Sequence, residues 1–161
     1  MSDHRKENPE WINERNQLRI SVCNGDQHAL MFLSALMDSI ELWDDMIDQD
    51  AEISSETINR VFMNLLFWLP QNPFFEKNKM YLLPLVMTCI NAWMDANEWQ
   101  KSPVSRCRQA AWWLKQMGVE MYSSVAFLTG GFNHMRRISL QARKILMHED
   151  FADFEQENIN D

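Results

Sequence analysis

Apolar positions along the chain advance by alternating threes and fours. Leu33, Leu36, Ile40, Trp43 and Ile47 fall on one stripe, which predicts a helix over 27–49 with those side chains toward a core. Ahead of it, Asn24-Gly25 reads as a turn and Asp26 as an N-cap. The stretch "ISSETINRVFMNLLFWLPQNP" predicts a second helix, capped at Ser54 or Ser55, ending near Leu69 and stopped by Pro70 and Pro73. A short turn of helix over 73–78 should lead into a longer one reaching Gln100, which has to accommodate Pro84. "VSRCRQAAWWLKQMGVEMYSSVAFLTGG" gives a fourth helix, bent at Gly118 and closed by Gly130-Gly131. The last is expected to be capped near Ser139. The pattern therefore predicts an all-α, single-domain bundle of about five principal helices. Residues 1–25 form an N-terminal extension, 26–148 the helical domain, and 149–161 an acidic, partly mobile C-terminal tail.

Composition agrees. Hydrophobic residues make up 46% of the 161, and only four glycines occur, which favours helices over a turn-rich sheet. A net charge of −8 sets the average field against phosphate backbones, which disfavours broad non-specific nucleic-acid binding. Cys23, Cys89 and Cys107 are odd in number, dispersed and without a CxxC pair, which suits a reducing compartment and argues against a zinc knuckle. The opening "MSDHRKENPEW" lacks the apolar core of a signal peptide, and no apolar run of about 18 residues follows. No membrane span and a cytoplasmic location are the expectations.

Candidate chemistry enters with "IELWDDMIDQD". On a helical wheel Asp44 lies about 40° from Ile40 and Asp45 about 140° from it, so Asp44 borders the apolar stripe while Asp45 points toward water. Asp44 and Asp48 stand one turn apart and repel unless a cation or proton bridges them. Oxygen-rich sets of this kind suit Mg²⁺. "NAWMDANEW" supplies a second set, Asn91, Asp95 and Glu98, on one helical face bordered by Met87 and Met94. Glu41, Asp44, Asp45, Asp48, Asn91, Asp95 and Glu98 are thus the candidate metal ligands, provided the two helices pack with these faces together. Arg136, Arg137 and Arg143, beside His134 and Lys144, are the candidate phosphate-binding group, because arginine forms bidentate bonds to phosphate oxygens.

The core "DDMID", Asp44 to Asp48, resembles the aspartate-rich DDxxD motif of isoprenoid and terpenoid synthases, helical enzymes that bind a diphosphate through Mg²⁺. That resemblance implies a second ligand motif across a cavity. Asn91, Asp95 and Glu98 hold the analogous place, with Asp95 where the family has serine or threonine and the glutamate one residue early. "ELWDDMID" together with "GGFNHMRR" looks more like small helical proteins of unknown function encoded by tailed bacteriophages. Glu41-Asp44 and Asp95-Glu98 also have the i, i+3 spacing found in all-α nucleotide pyrophosphatases.

Three functions follow as alternatives. One is a Mg²⁺-binding helical protein that holds a phosphorylated small molecule, with the metal polarising phosphoryl oxygens. Another is a non-enzymatic interaction or phage accessory protein, engaging a basic protein partner with its acidic surface. The third is a nucleotide pyrophosphatase. Against all chemistry stands the plain reading of a solvated helix face. Trp43, Trp68, Trp93, Trp99, Trp112 and Trp113 and the twelve methionines fit either core or an adaptable apolar surface.

Overall fold

The computed structural model describes residues 8–48, 52–147 and 150–159, without the side chains of Asp48, Glu157 and Ile159. Seven α-helices and no strand occur among the described residues. Helix α1 spans Pro9–Val22 and starts at Asn8, whose Oδ1 accepts from the Glu10 amide at 2.9 Å with Pro9 in the first turn. Asn24 (φ 48°) and Gly25 (φ 85°) make the predicted turn. Asp26 Oδ1 then accepts from the Ala29 amide at 3.0 Å to open α2, Gln27–Asp48.

Ser54 caps α3, Ser55–Met63, by accepting from the Thr57 amide at 3.1 Å. The helix runs on through a π-helical turn, Asn64–Trp68, and a 3₁₀ turn, Leu69–Gln71. Asn72 caps α4, Pro73–Trp99, and its Nδ2 donates to the His28 carbonyl at 2.9 Å, pinning the start of α4 to α2. Helix α5 is Ser105–Lys115, followed by a 3₁₀ turn at Gln116–Gly118, then α6, Val119–Leu146, and α7, Phe151–Ile159.

The all-α, single-domain architecture is as the periodicity predicts, but five boundaries differ. Residues 9–22 of the expected extension are α1, and its Leu18 and Val22 are fully buried in the main core. Helix α4 is continuous from Pro73. It carries Pro84 on its exposed face, where the ring faces solvent and the helix need only forgo one backbone bond. The expected fourth helix is divided at 116–118, while Gly130-Gly131 does not end α6. Gly131 (φ 74°, ψ −172°) kinks it instead, and Ser139 lies inside the helix. A Cβ on Gly130 would come within 2.6 Å of His134, so the kink is packed as well as bent. Finally, residues 151–159 of the expected tail form α7, with Phe154 buried.

The main core joins α1, α2, α4 and α6. Phe32 lies beside Phe74 and Phe75, with ring centroids at 5.6 and 5.7 Å, above Leu33, Met121 and Val125. Burial of each such side chain contributes about 1.5–3 kcal/mol. Leu36 is buried and Ile40 packs on this core, yet Trp43 and Ile47 are exposed, Ile47 by 53%. The last turns of α2 outrun the core, so the apolar stripe continues into solvent. A second, smaller core gathers Ala96, Ala111 and Phe154 with Trp112, Leu114 and Phe151 between α4, α5 and α7. No described helix is long and apolar enough to cross a membrane.

Candidate functional site

The carboxylates of α2 are met by arginines from two neighbouring helices. Arg15 and Arg19 stand one turn apart on α1. Arg15 Nη1 donates to Glu41 Oε1 at 2.6 Å, and Arg19 bridges Asp38 at 3.2 Å and the same Glu41 oxygen at 3.4 Å. From α3, Arg60 Nη1 reaches the second Asp38 oxygen at 3.1 Å. Arg19 is buried. Desolvation opposes its charge, but Tyr122, Glu41 and Asp38 outweigh it and hold the guanidinium pKa above its ordinary value. Burial likewise pushes the Tyr122 phenol up.

Asp44 meets α4, though at a tryptophan. Trp93 Nε1 donates to Asp44 Oδ1 at 3.2 Å, and the Trp93 and Trp43 rings pack at 4.7 Å. The direction of Trp93 fixes the rest of α4. Asn91 and Asp95, two residues either side, are rotated about 160° away around the helix and Glu98 about 140°. All three are exposed, and Asn91 Nδ2 donates to Asp95 Oδ2 at 3.0 Å. The second acidic face therefore points away from α2, and the two sets of candidate ligands are not brought together. Among the described residues, no group of three or more His, Cys, Asp or Glu side chains is placed to hold a cation. Asp45 is half-buried at the rim of the α2 cleft, and the side chain of Asp48 lies outside the described residues.

The candidate phosphate group is dispersed. Arg143 Nη2 is engaged by Glu120 Oε1 at 2.6 Å. Arg136 and Arg137 are exposed on different sides of α6, and Arg137 Nη2 lies 3.5 Å from His134 Nδ1. His134 itself is buried and structural. Its Nε2 donates to the Val22 carbonyl at 3.2 Å, next to the 2.9 Å bond that the Thr129 hydroxyl makes to the same oxygen, fastening α1 to the kink of α6. The acidic C-terminal segment pairs with Arg108 of α5. Glu155 Oε1 accepts from Arg108 Nη2 at 2.6 Å and from Ser105 Oγ at 2.6 Å, and these bonds hold its carboxyl below the ordinary 4.5.

What the molecule does present on this side is a pair of adjoining clefts that share Asp38. One, about 400 Å³, is lined by Asp38, Glu41, Asp45 and Glu52, facing Arg15 and Arg60. Four carboxylates thus meet two guanidiniums in the lining and a third, Arg19, behind Asp38 and Glu41, leaving the cleft acidic by one carboxylate. The other, about 390 Å³, is largely apolar and lies between α2 and the π turn, with Met31, Ala35, Trp68 and Leu69 in its walls. Beside it, Phe62, Met63, Leu66, Phe67 and Trp68 stand 48% to 75% exposed, and Phe67 packs edge-on to Trp68 at 4.9 Å. The period of "VFMNLLFWLP" reads as an ordinary amphipathic helix. A π turn re-aims this run, since each of its residues is advanced less around the axis than in an α-helix. Of this exposed run only Trp68 and Met63 stood among the tryptophans and methionines that fit core or an apolar surface, and Arg15, Arg19 and Arg60 were not candidates. The one available signal was the i, i+4 arginine pair on α1.

Comparison with family models, with curated proteins and with solved structures returns no significant match for this chain.

Proposed function

We propose that this chain is a non-enzymatic interaction protein that docks a protein segment on its α2–α3 face. The observation that carries the reading is the run of Phe62, Met63, Leu66, Phe67 and Trp68, exposed across the π turn beside an apolar cleft. Contiguous exposed apolar surface of this kind marks an association site, and aromatic anchors supply most of the affinity in such sites. The adjoining acidic cleft sets the complementary chemistry. The partner segment offers apolar anchors next to lysine or arginine, and the net charge of −8 speeds its approach.

Metal-dependent chemistry has less support in the geometry. Glu41 and Asp44, an i, i+3 pair, engage different neighbours, and Asn91, Asp95 and Glu98 face the other way. The experiment is a peptide-display selection on the wild-type chain, with Leu66→Asp as counter-bait. Enriched peptides should combine large apolar residues with lysine or arginine. Their affinity, measured by fluorescence anisotropy, should fall at least about tenfold in Leu66→Asp and weaken with added salt. If wild type enriches nothing over the variant, the docking reading fails.

A further inference from the structure

On the side of α4 opposite the core, Met80, Leu83, Met87, Ile90 and Met94 follow the 3-4-3-4 spacing of a coiled-coil seam. The methionines recur every seven residues, and they are 84%, 66% and 53% exposed, with Leu83 at 50%. The inward face is separately accounted for by Leu82, Ala92 and Ala96, all buried. Helix α4 is thus amphipathic toward the core and apolar again outside. A seam with a period of 3.5 is what a second helix reads, because only that spacing keeps knobs facing a helical partner over several turns.

We infer that the partner is a second copy of this chain, paired antiparallel through α4 about a two-fold axis near Thr88 and Cys89. Antiparallel helices stack first-position on fourth-position residues of the heptad. A two-fold placed there sets Met87 against Ile90 of the other copy and Leu83 against Met94, and leaves Met80 opposite Asn97 at each end. Charge selects this direction. Lys77 and Glu98 lie three heptads apart at the same flanking position, at opposite ends of the seam, and both are exposed. Neither has an ion-pair partner among the described residues. Antiparallel pairing brings Lys77 of each copy to Glu98 of the other, twice by symmetry, whereas in-register parallel pairing puts equivalent residues on opposite flanks of the seam and leaves both charges unmatched. Pro84 occupies a flanking position too, so its ring does not enter the seam. A seam of about 21 Å is short, so the dimer is a weak one that forms in the micromolar range or above. The inference does not rest on the α2–α3 docking reading, which uses another face.

Sedimentation equilibrium of the full chain over a wide concentration range tests it. Wild type should associate to a dimer and no further. Met87→Asp should weaken association at least about tenfold while its circular dichroism and melt stay those of wild type, the side chain being mostly in solvent. Lys77→Glu and Glu98→Lys should each weaken it severalfold, and the double exchange should restore it, a rescue that a parallel pair would not show. A chain monomeric at every concentration overturns the inference, as does a dimer indifferent to Met87→Asp or a double exchange that rescues nothing. Binding of the monomer to anionic vesicles, lost in Met87→Asp, would likewise overturn it by giving the seam to a lipid surface.

Discussion

Two acidic helices that look alike in sequence behave differently in the fold. Helix α2 sends Asp38 and Glu41 into an arginine network, with Arg19 buried at its centre, and Asp44 to an indole N–H. Helix α4 leaves Asn91, Asp95 and Glu98 in water beside an exposed methionine seam. The difference is a matter of what stands opposite. A carboxylate that meets a buried cation becomes part of the architecture, whereas one that meets solvent only decorates a face.

Removing the buried cation should expose the contrast most strongly. Arg19→Met leaves Asp38 and Glu41 without their inner partner and the buried Tyr122 phenol without its neighbouring cation. The expected cost is about 2–3 kcal/mol in urea unfolding, below the 3–5 kcal/mol of a fully buried pair because Arg15 and Arg60 remain and both carboxylates reach solvent. A change under about 0.5 kcal/mol, the range of ordinary surface substitutions, would place Arg19 with the surface charges and erase the distinction.

Acid offers an intermediate case. Glu155 is paired like the α2 carboxylates, but on the peripheral helix α7. Its folded pKa lies below the ordinary 4.5, held there by Ser105 and Arg108. An undocked α7 therefore takes up the proton more readily than a docked one. Docking is at full strength above 4.5 and weakens as pH falls through the lowered value. Hydrogen exchange should show α7 opening before α1 or α6 on acidification, and Glu155→Gln should remove that pH dependence. Simultaneous opening of all helices would mean that the two cores are one cooperative unit.

These elements also mark how far the sequence could be read. A stripe of period 3.6 located α2, while a serine cap and the stops at Pro70 and Pro73 bounded the α3 to 3₁₀ run. Helix α1 escaped because its core face carries Arg19, a charge that reads as surface until Asp38, Glu41 and Tyr122 are placed around it. Gly130-Gly131 read as a stop because glycine accepts positive φ wherever it occurs. Only packing decides whether the chain stops there or resumes, as it does when His134 settles over Gly130. At the site, spacing put Asn91, Asp95 and Glu98 on one face of α4 but took Met87 and Met94 beside them as a sign that this face meets the core, whereas both are exposed; the roll of α4 is set by Trp93 against Trp43. That contact spans 50 residues of sequence (93 − 43), and no local period reports it. Charge partners are equally distant, since Arg15 and Glu41 are 26 positions apart.

The smallest effects belong to the carboxylates themselves. Asp44→Asn keeps an oxygen for Trp93 Nε1 and should shift stability by less than about 0.5 kcal/mol, whereas Asp44→Leu strands that N–H and should cost about 1–3 kcal/mol. Asp95→Ala, on the open face, should also stay within about 0.5 kcal/mol. Magnesium then separates the architectural account from the catalytic one. A ligand that binds only the folded chain raises its melting temperature in proportion to the logarithm of its concentration. Mg²⁺ should therefore leave wild type, Asp44→Asn and Asp95→Ala alike at matched ionic strength, because Asp44 of α2 meets the Trp93 side of α4 and Asp95 leaves α4 on its solvent side. A stabilisation of wild type that both variants lose would show that the two faces converge after all. One lost only in Asp44→Asn would place a cation on α2 alone, where Asp48 and Asp45 stand next to it in sequence, and would put the acidic cleft rather than the apolar run at the centre of the function.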